Sequence, residues 1–393
     1  MRYSAIRKLA YRSMNPFNFG DLALDEGFTD REAELRELEA DVRNGQNVVV
    51  FAPRRFGKSS LVWRASQELV RSGDVLVAQV DLMRTVTKEQ LAAKLAQALY
   101  EQVATPMFRA RERAQRVFGG LRIRPVLTVD PNDGSLGFSF AAGHAKEDVN
   151  ATLERLLELP AELAAERKRR VALVFDEFQQ VIGLDPSLPA LMRAVFQAQP
   201  DVSHVYLGSK RSLMQELFDD ANEPFWRSAK HMELGPIPAD AFATFVAERF
   251  ASTGKQAPLA VVDAVLAVTR GHPYGTQELC YALWEETPPG ETATSGGLGA
   301  ALSRVLRSEN AYFTHVWDGA SRAQRLVLQA LAADPPVSAT SEEYRRRHAL
   351  PAPSSVQRAL DALVDDELVA RERPGAYRIA EPFLAEWVRR YGA

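Results

Sequence analysis

The chain has 393 residues, of which 46% are hydrophobic, 25% charged and 9% aromatic, a globular composition with room for two or three cores. A net charge of −3 argues against a polycation that coats nucleic acid or membranes indiscriminately. A single cysteine, Cys280, excludes an intrachain disulfide or a multi-cysteine metal site, and no uncharged apolar run reaches the roughly 18 residues that predict a membrane span.

Arg2, Arg7, Lys8 and Arg12 lie in an opening segment without acids and without a following apolar stretch, which predicts a mobile arm rather than a secretory leader, and a cytoplasmic location. From Phe28, Phe-Thr-Asp-Arg-Glu-Ala-Glu-Leu-Arg-Glu-Leu predicts a capped amphipathic helix. A strand over Val48 to Phe51, a short loop and a helix to Ser72 follow, then a strand from Val75 to Val80 and a helix from Lys88 to Val103. Residues 107–143 break this alternation; apolar runs on either side of Asp130-Pro-Asn-Asp-Gly134 predict a β-hairpin inserted at the domain surface. A helix over Glu147 to Arg167, a strand ending in Phe175-Asp176-Glu177 and a strand over Val205 to Gly208 complete the pattern. Strands separated by helices of this length predict an α/β fold, a mostly parallel sheet with helices on both faces.

Beyond Pro236 the sequence turns helical, with helices predicted at 239–253, 258–270, 273–286 and 298–317 and a linker at 287–297. A last unit has helices from Ser321 to Ala332, at 341–348 and at 353–366, then two short strands flanking Pro374-Gly375, the outline of a winged helix. The expected division is an N-terminal arm (1–27), a P-loop core (28–236), a helical lid (237–317) and a winged-helix domain (318–393).

The stretch from Asn47 to Val62 carries the chemistry. A strand enters Ala52-Pro53-Arg54-Arg55-Phe56-Gly57-Lys58-Ser59-Ser60 and a helix leaves it, so loop N–H groups and the positive helix end converge on an anion-sized space. Lys58 is placed for the β- and γ-phosphates, and the Ser59 hydroxyl for Mg²⁺. The usual pattern opens with glycine where Ala52 stands; Gly57, where a side chain would obstruct phosphate, is retained. Pro53, Phe56 and Ser60 belong to the same cradle, and one of Arg54 and Arg55 is expected on the phosphates.

Asp176 at a strand end is expected to hold Mg²⁺ against Ser59, and Glu177 to polarise the attacking water. Ser209, at the next strand tip, either senses the γ-phosphate or orients water by hydrogen bonding, or else caps the helix from Ser212 onward. Arg227, within Pro224-Phe-Trp-Arg, either reaches the γ-phosphate or forms a structural ion pair. His272, in Gly271-His-Pro, either touches phosphate or belongs to an ordinary turn, with Pro273 opening the next helix. Lys210 and Arg211 are expected at the surface; His144, His204, His231, His315 and His348 form no ligand spacing.

In order along residues 28 to 388, Asp30-Arg-Glu-x-Glu-Leu, the phosphate loop, Phe175-Asp-Glu-Phe, Leu207-Gly-Ser, Pro224-Phe-Trp-Arg, Gly271-His-Pro and Tyr377-Arg-Ile-Ala-Glu-Pro-Phe resemble the archaeal-type ATPases. These belong to the STAND branch of P-loop ATPases, relatives of the AAA+ class. The resemblance implies an ATPase core, a helical lid and a C-terminal winged helix, with Phe28, Arg31 and Glu34 near the adenine. Ala52 and Asp30 depart from the family pattern. ATP is implied rather than GTP, and no guanine-reading Asn-Lys-x-Asp segment is present.

The expected function is a slow, Mg²⁺-dependent ATPase acting as a nucleotide-controlled switch, ATP and ADP favouring different positions of the lid and the winged helix. A DNA-binding ATPase, initiator-like or transposition-helper-like, and a nucleotide-binding scaffold without appreciable turnover are the alternatives. Residues 321–393 hold 11 basic and 10 acidic side chains, a weak electrostatic footprint for DNA. Ser354, Ser355, Gln357 and Arg358 suit DNA contacts, whereas Asp361, Asp365, Asp366 and Glu367 oppose them. A protein or DNA partner and a nucleotide-dependent oligomer therefore stay open, and no membrane partner is expected.

Overall fold

A computed structural model describes residues 14–20, 27–103, 121–123, 126–129, 136–140, 145–209, 211–335 and 338–392. The basic opening segment, Lys210 and His144 lie outside them. The chain forms two compact units, one of residues 31–53 and 58–234, the other of residues 1–30, 54–57 and 235–393.

The first unit is built on five strands: β1 (Val48–Phe51), β2 (Val75–Asp81), β5 (Arg170–Asp176), β6 (Val202–Gly208) and β7 (Lys230–Glu233). Every pairing is parallel, in the order β2-β5-β6-β1-β7. All residues of β1, a continuous apolar run, and of β6, which also buries Ser203 and His204, are covered on both faces as in a parallel sheet. Strand β7 went unpredicted because it buries only Met232 and carries no apolar run. A separate antiparallel pair, β3 (Val126–Val129) and β4 (Leu136–Ser139), is the predicted hairpin.

Helices α1 (Glu32–Arg43), α2 (Lys58–Ser72), α3 (Lys88–Val103), α4 (Lys146–Arg167), α5 (Gln180–Leu184), α6 (Leu188–Phe196) and α7 (Arg211–Asp219) connect the strands. The predicted cap of α1 is absent: Arg31 at its N-cap has φ 74° and provides no side-chain cap. Packed rings close the sheet's core, with Phe178 centred 4.6 Å from Tyr206 and 5.3 Å from Phe225. His204 is fully buried, its pKa pushed down to about 3 by burial, so it is a neutral core residue.

The second unit is helical: α8 (Ala239–Ser252), α9 (Leu259–Thr269), α10 (Pro273–Glu286), α11 (Ser295–Ser308), α12 (Asn310–Gly319), α13 (Arg322–Ala333), α14 (Glu342–Arg347), α15 (Pro353–Asp365) and α16 (Leu384–Tyr391). The single helix predicted at 298–317 is two, α11 and α12, broken at Glu309. Ser321 caps α13 through a capping box, and β8 (Val369–Arg373) pairs antiparallel with β9 (Ala376–Ile379) as the wing. One continuous core, from Phe242 to Trp387, joins the lid helices to the winged helix. It also takes in Phe17, centred 5.4 Å from Phe250, so part of the segment expected as an arm is packed.

Among the described residues no helix is long and apolar enough to cross a membrane.

Candidate functional site

The loop between β1 and α2 has the shape its sequence implies. Arg55 and Gly57 both adopt left-handed backbone, at φ 64° and 83°. Among the described residues, chain neighbours aside, no atom lies within 4 Å of a Cβ built on Gly57, so its positive φ is what calls for glycine. Lys58 is buried, and its Nζ donates to the Ala52 carbonyl at 3.1 Å, folding the ammonium back over the loop.

Ser59 and Asp176 meet although β6 separates their strands. The Ser59 hydroxyl donates to Asp176 Oδ2 at 2.8 Å, while Asp176 Oδ1 accepts the Glu177 N–H at 2.9 Å. The reach comes from the first turn of α2, which projects from the C-terminal edge of the sheet, where open α/β sheets bind ligands. Burial raises the Asp176 pKa, and Glu177 adds to the rise against the Ser59 hydrogen bond and Lys58.

Among the described residues no group of three or more His, Cys, Asp or Glu side chains could hold a metal alone. The donor set of one hydroxyl and one carboxylate fits Mg²⁺, which takes few protein ligands and completes its shell with phosphate and water. Ser59 and Asp176 would hold it, and the bound ion would neutralise phosphate charge.

Glu177 lies at φ 53°, a conformation uncommon for a residue with a side chain. Its Oε2 accepts the Ser209 hydroxyl at 2.9 Å, and Ser209 is itself buried. Thus Ser209, expected to sense phosphate, to orient water or to cap the next helix, donates to the Glu177 carboxylate. Gln179, which sequence reasoning passed over, also donates through Nε2 to Glu177 Oε2. The available signal was an amide two residues beyond an acid pair at a strand end.

Arg227 is exposed with its guanidinium 5.0 Å from the Trp226 ring centroid, and among the described residues no carboxylate pairs with it.

In the helical unit, which includes residues 54–57, Phe56 packs edge-on to His272 at 4.6 Å and Arg55 lies 4.1 Å from the Tyr274 ring centroid. Arg54 Nε pairs with Glu367 Oε2 at 3.2 Å. His272 caps α10, its Nδ1 accepting the Gly275 N–H at 3.2 Å, with Pro273 opening the helix. Burial pushes the His272 pKa down to about 3, helped by Arg55 and Arg378, so the ring is a neutral cap. In the first unit, Arg31 is buried and pairs with Glu34 at 2.8 Å.

A parallel sheet with the loop and acid pair at its C-terminal edge, followed by a winged helix, defines a P-loop NTPase fold. Residues 28–279 match the family described as an ATPase domain predominantly from Archaea, and the chain belongs to that family. Residues 311–390 match a probable winged helix domain. The chain is similar in fold to a Walker-type ATPase of Pyrococcus abyssi, at 18% identity and TM-score 0.67, over 95% of this chain and 99% of that one. It is also similar to the ORC2 protein of Aeropyrum pernix in ADPNP-ADP complexes, at 12% identity and TM-score 0.54, over 96% of both chains. No curated protein sequence matches the chain.

Proposed function

We propose that the protein is a Mg²⁺-dependent ATPase that uses its nucleotide cycle to reposition the winged helix. The observation that carries this reading is the Ser59–Asp176 hydrogen bond, with Glu177 next in sequence. It supports Ser59 and Asp176 as the metal side and Glu177 as the base that polarises water, with Lys58 on the β- and γ-phosphates. Gly57 and its neighbours Pro53, Arg54, Arg55, Phe56 and Ser60 form the cradle, and Arg227 is the mobile cation offered to the γ-phosphate.

The switch is supported by the loop's contacts. Arg54, Arg55 and Phe56 touch Glu367, Tyr274 and His272, so a ligand that reorders the loop acts directly on the helical and winged parts. Their common core favours a concerted response.

A protein partner fits the winged helix better than DNA. Gln357 donates to Asp361 Oδ1 at 2.7 Å and to the Tyr377 hydroxyl at 3.2 Å, which engages the amide that a base edge would need. Arg346 pairs with Glu342 and Arg347 with Asp334 and Glu343, so this run presents little free positive charge.

Phosphate release from ATP tests the reading. Wild-type turnover that disappears in Glu177→Gln supports it; a wild type that binds ATP without turnover leaves the scaffold alternative.

A further inference from the structure

We infer that Gln179 is a positioning residue for hydrolysis, clamping the Glu177 carboxylate against Ser209 so that one carboxylate oxygen is kept for the attacking water. The inference rests on the hydrolytic reading above and adds a residue to that site.

Gln179 is 4% exposed and stands at the N-cap of α5, yet its side chain does not cap that helix. Its Nε2 donates to Glu177 Oε2 and lies 3.5 Å from Ser209 Oγ. Ser209 Oγ donates to the same Oε2, which closes a three-membered ring of polar contacts. Two donors on one oxygen fix the rotation of the carboxylate. Among the described residues Glu177 Oε1 receives no hydrogen bond, so it is the oxygen available to accept from water.

The backbone is built around this arrangement. Phe178 N–H donates to the Leu207 carbonyl at 2.8 Å, tying the turn after β5 to β6, and the Phe178 ring is buried. A Cβ at Gly208 would stand 2.3 Å from Met214 Cγ and 2.9 Å from Gln179 Oε1, so the glycine leaves room for both side chains. Gln179 Oε1 is itself buried without a hydrogen-bond partner among the described residues.

The test compares wild type with Gln179→Leu and Gln179→Met under saturating Mg-ATP, measuring kcat, KM, ATP affinity and melting temperature. The expected result is a kcat lower by about tenfold or more, with KM and affinity within about threefold of wild type, since the lost contact orients the base and does not bind nucleotide. Should the leucine variant not fold, the longer, flexible methionine carries the same comparison. Unchanged kcat in a folded variant, or a fall in kcat matched by an equal loss of ATP affinity, overturns the inference and leaves the hydrolytic reading intact. A wild type without turnover overturns both.

Discussion

The Ser59 hydroxyl lies 2.8 Å from Asp176 Oδ2, although the strand that precedes Ser59 and the strand that ends in Asp176 are not neighbours. The inserted strand β6 brings Ser209 to the same edge, where its hydroxyl donates to Glu177 Oε2. Several consequences can be measured.

Lys58 folds over the loop, and its charge has no neighbouring lysine to replace it in the cradle. Lys58→Ala is expected to lower ATP affinity by about tenfold to a hundredfold, the loss of one charge-assisted phosphate contact. Isothermal calorimetry measures it, and full affinity in a folded variant would contradict the assigned site.

Glu177→Gln keeps the shape of the side chain and removes its basicity. Turnover should fall by about a hundredfold or more while ATP still binds, because general base assistance contributes on that scale. Phosphate release under single-turnover conditions checks this, and a fall of less than about threefold would count against the role.

Glu278 offers a pH dependence. It is 3% exposed, and burial, with Glu309 and Glu381, lifts its pKa to about 8 against the pull of Arg55. The folded state therefore holds a proton that the unfolded chain releases at its ordinary value of 4.5. Its stabilising contribution is complete below that value and is lost as pH rises through about 8. Glu278→Gln should match wild type near pH 4.5 and exceed it by about 1–3 kcal/mol at pH 9, read from denaturant midpoints. Equal stability at the alkaline end would show that the carboxyl ionises without strain.

The winged helix should not bind duplex DNA in a salt-dependent manner, with or without ATP. Fluorescence anisotropy at two salt concentrations tests this. Binding that weakens with salt and vanishes in the double variant Arg345→Glu/Arg346→Glu would favour the DNA-binding alternative.

Much of the sheet could be read from the sequence because β1, β5 and β6 are apolar runs between helices, and the phosphate loop punctuates the first of them. Strand β7 could not, since an edge strand with one buried side chain carries no pattern. The break at Glu309 was hidden because α11 and α12 continue each other's helical composition, and α16 was passed over beside the wing that precedes it. The position of Asp176 and Glu177 at the end of a strand was legible from the apolar run before them, and β5 ends at Asp176. The Ser209 contact to Glu177 depends on strand order, which local sequence does not encode. The His272 cap depends on a ring orientation that a Gly-His-Pro turn leaves free.

The central claim is that the loop above Lys58, with Ser59 and Asp176, binds the triphosphate of ATP together with Mg²⁺. Titrating ATP with Mg²⁺ into Glu177→Gln, which should bind without turnover, tests it most directly by calorimetry. A single-site isotherm that weakens when Mg²⁺ is withheld is the predicted result. Absence of heat from ATP at millimolar concentration, with folded protein and Mg²⁺ present, would contradict it.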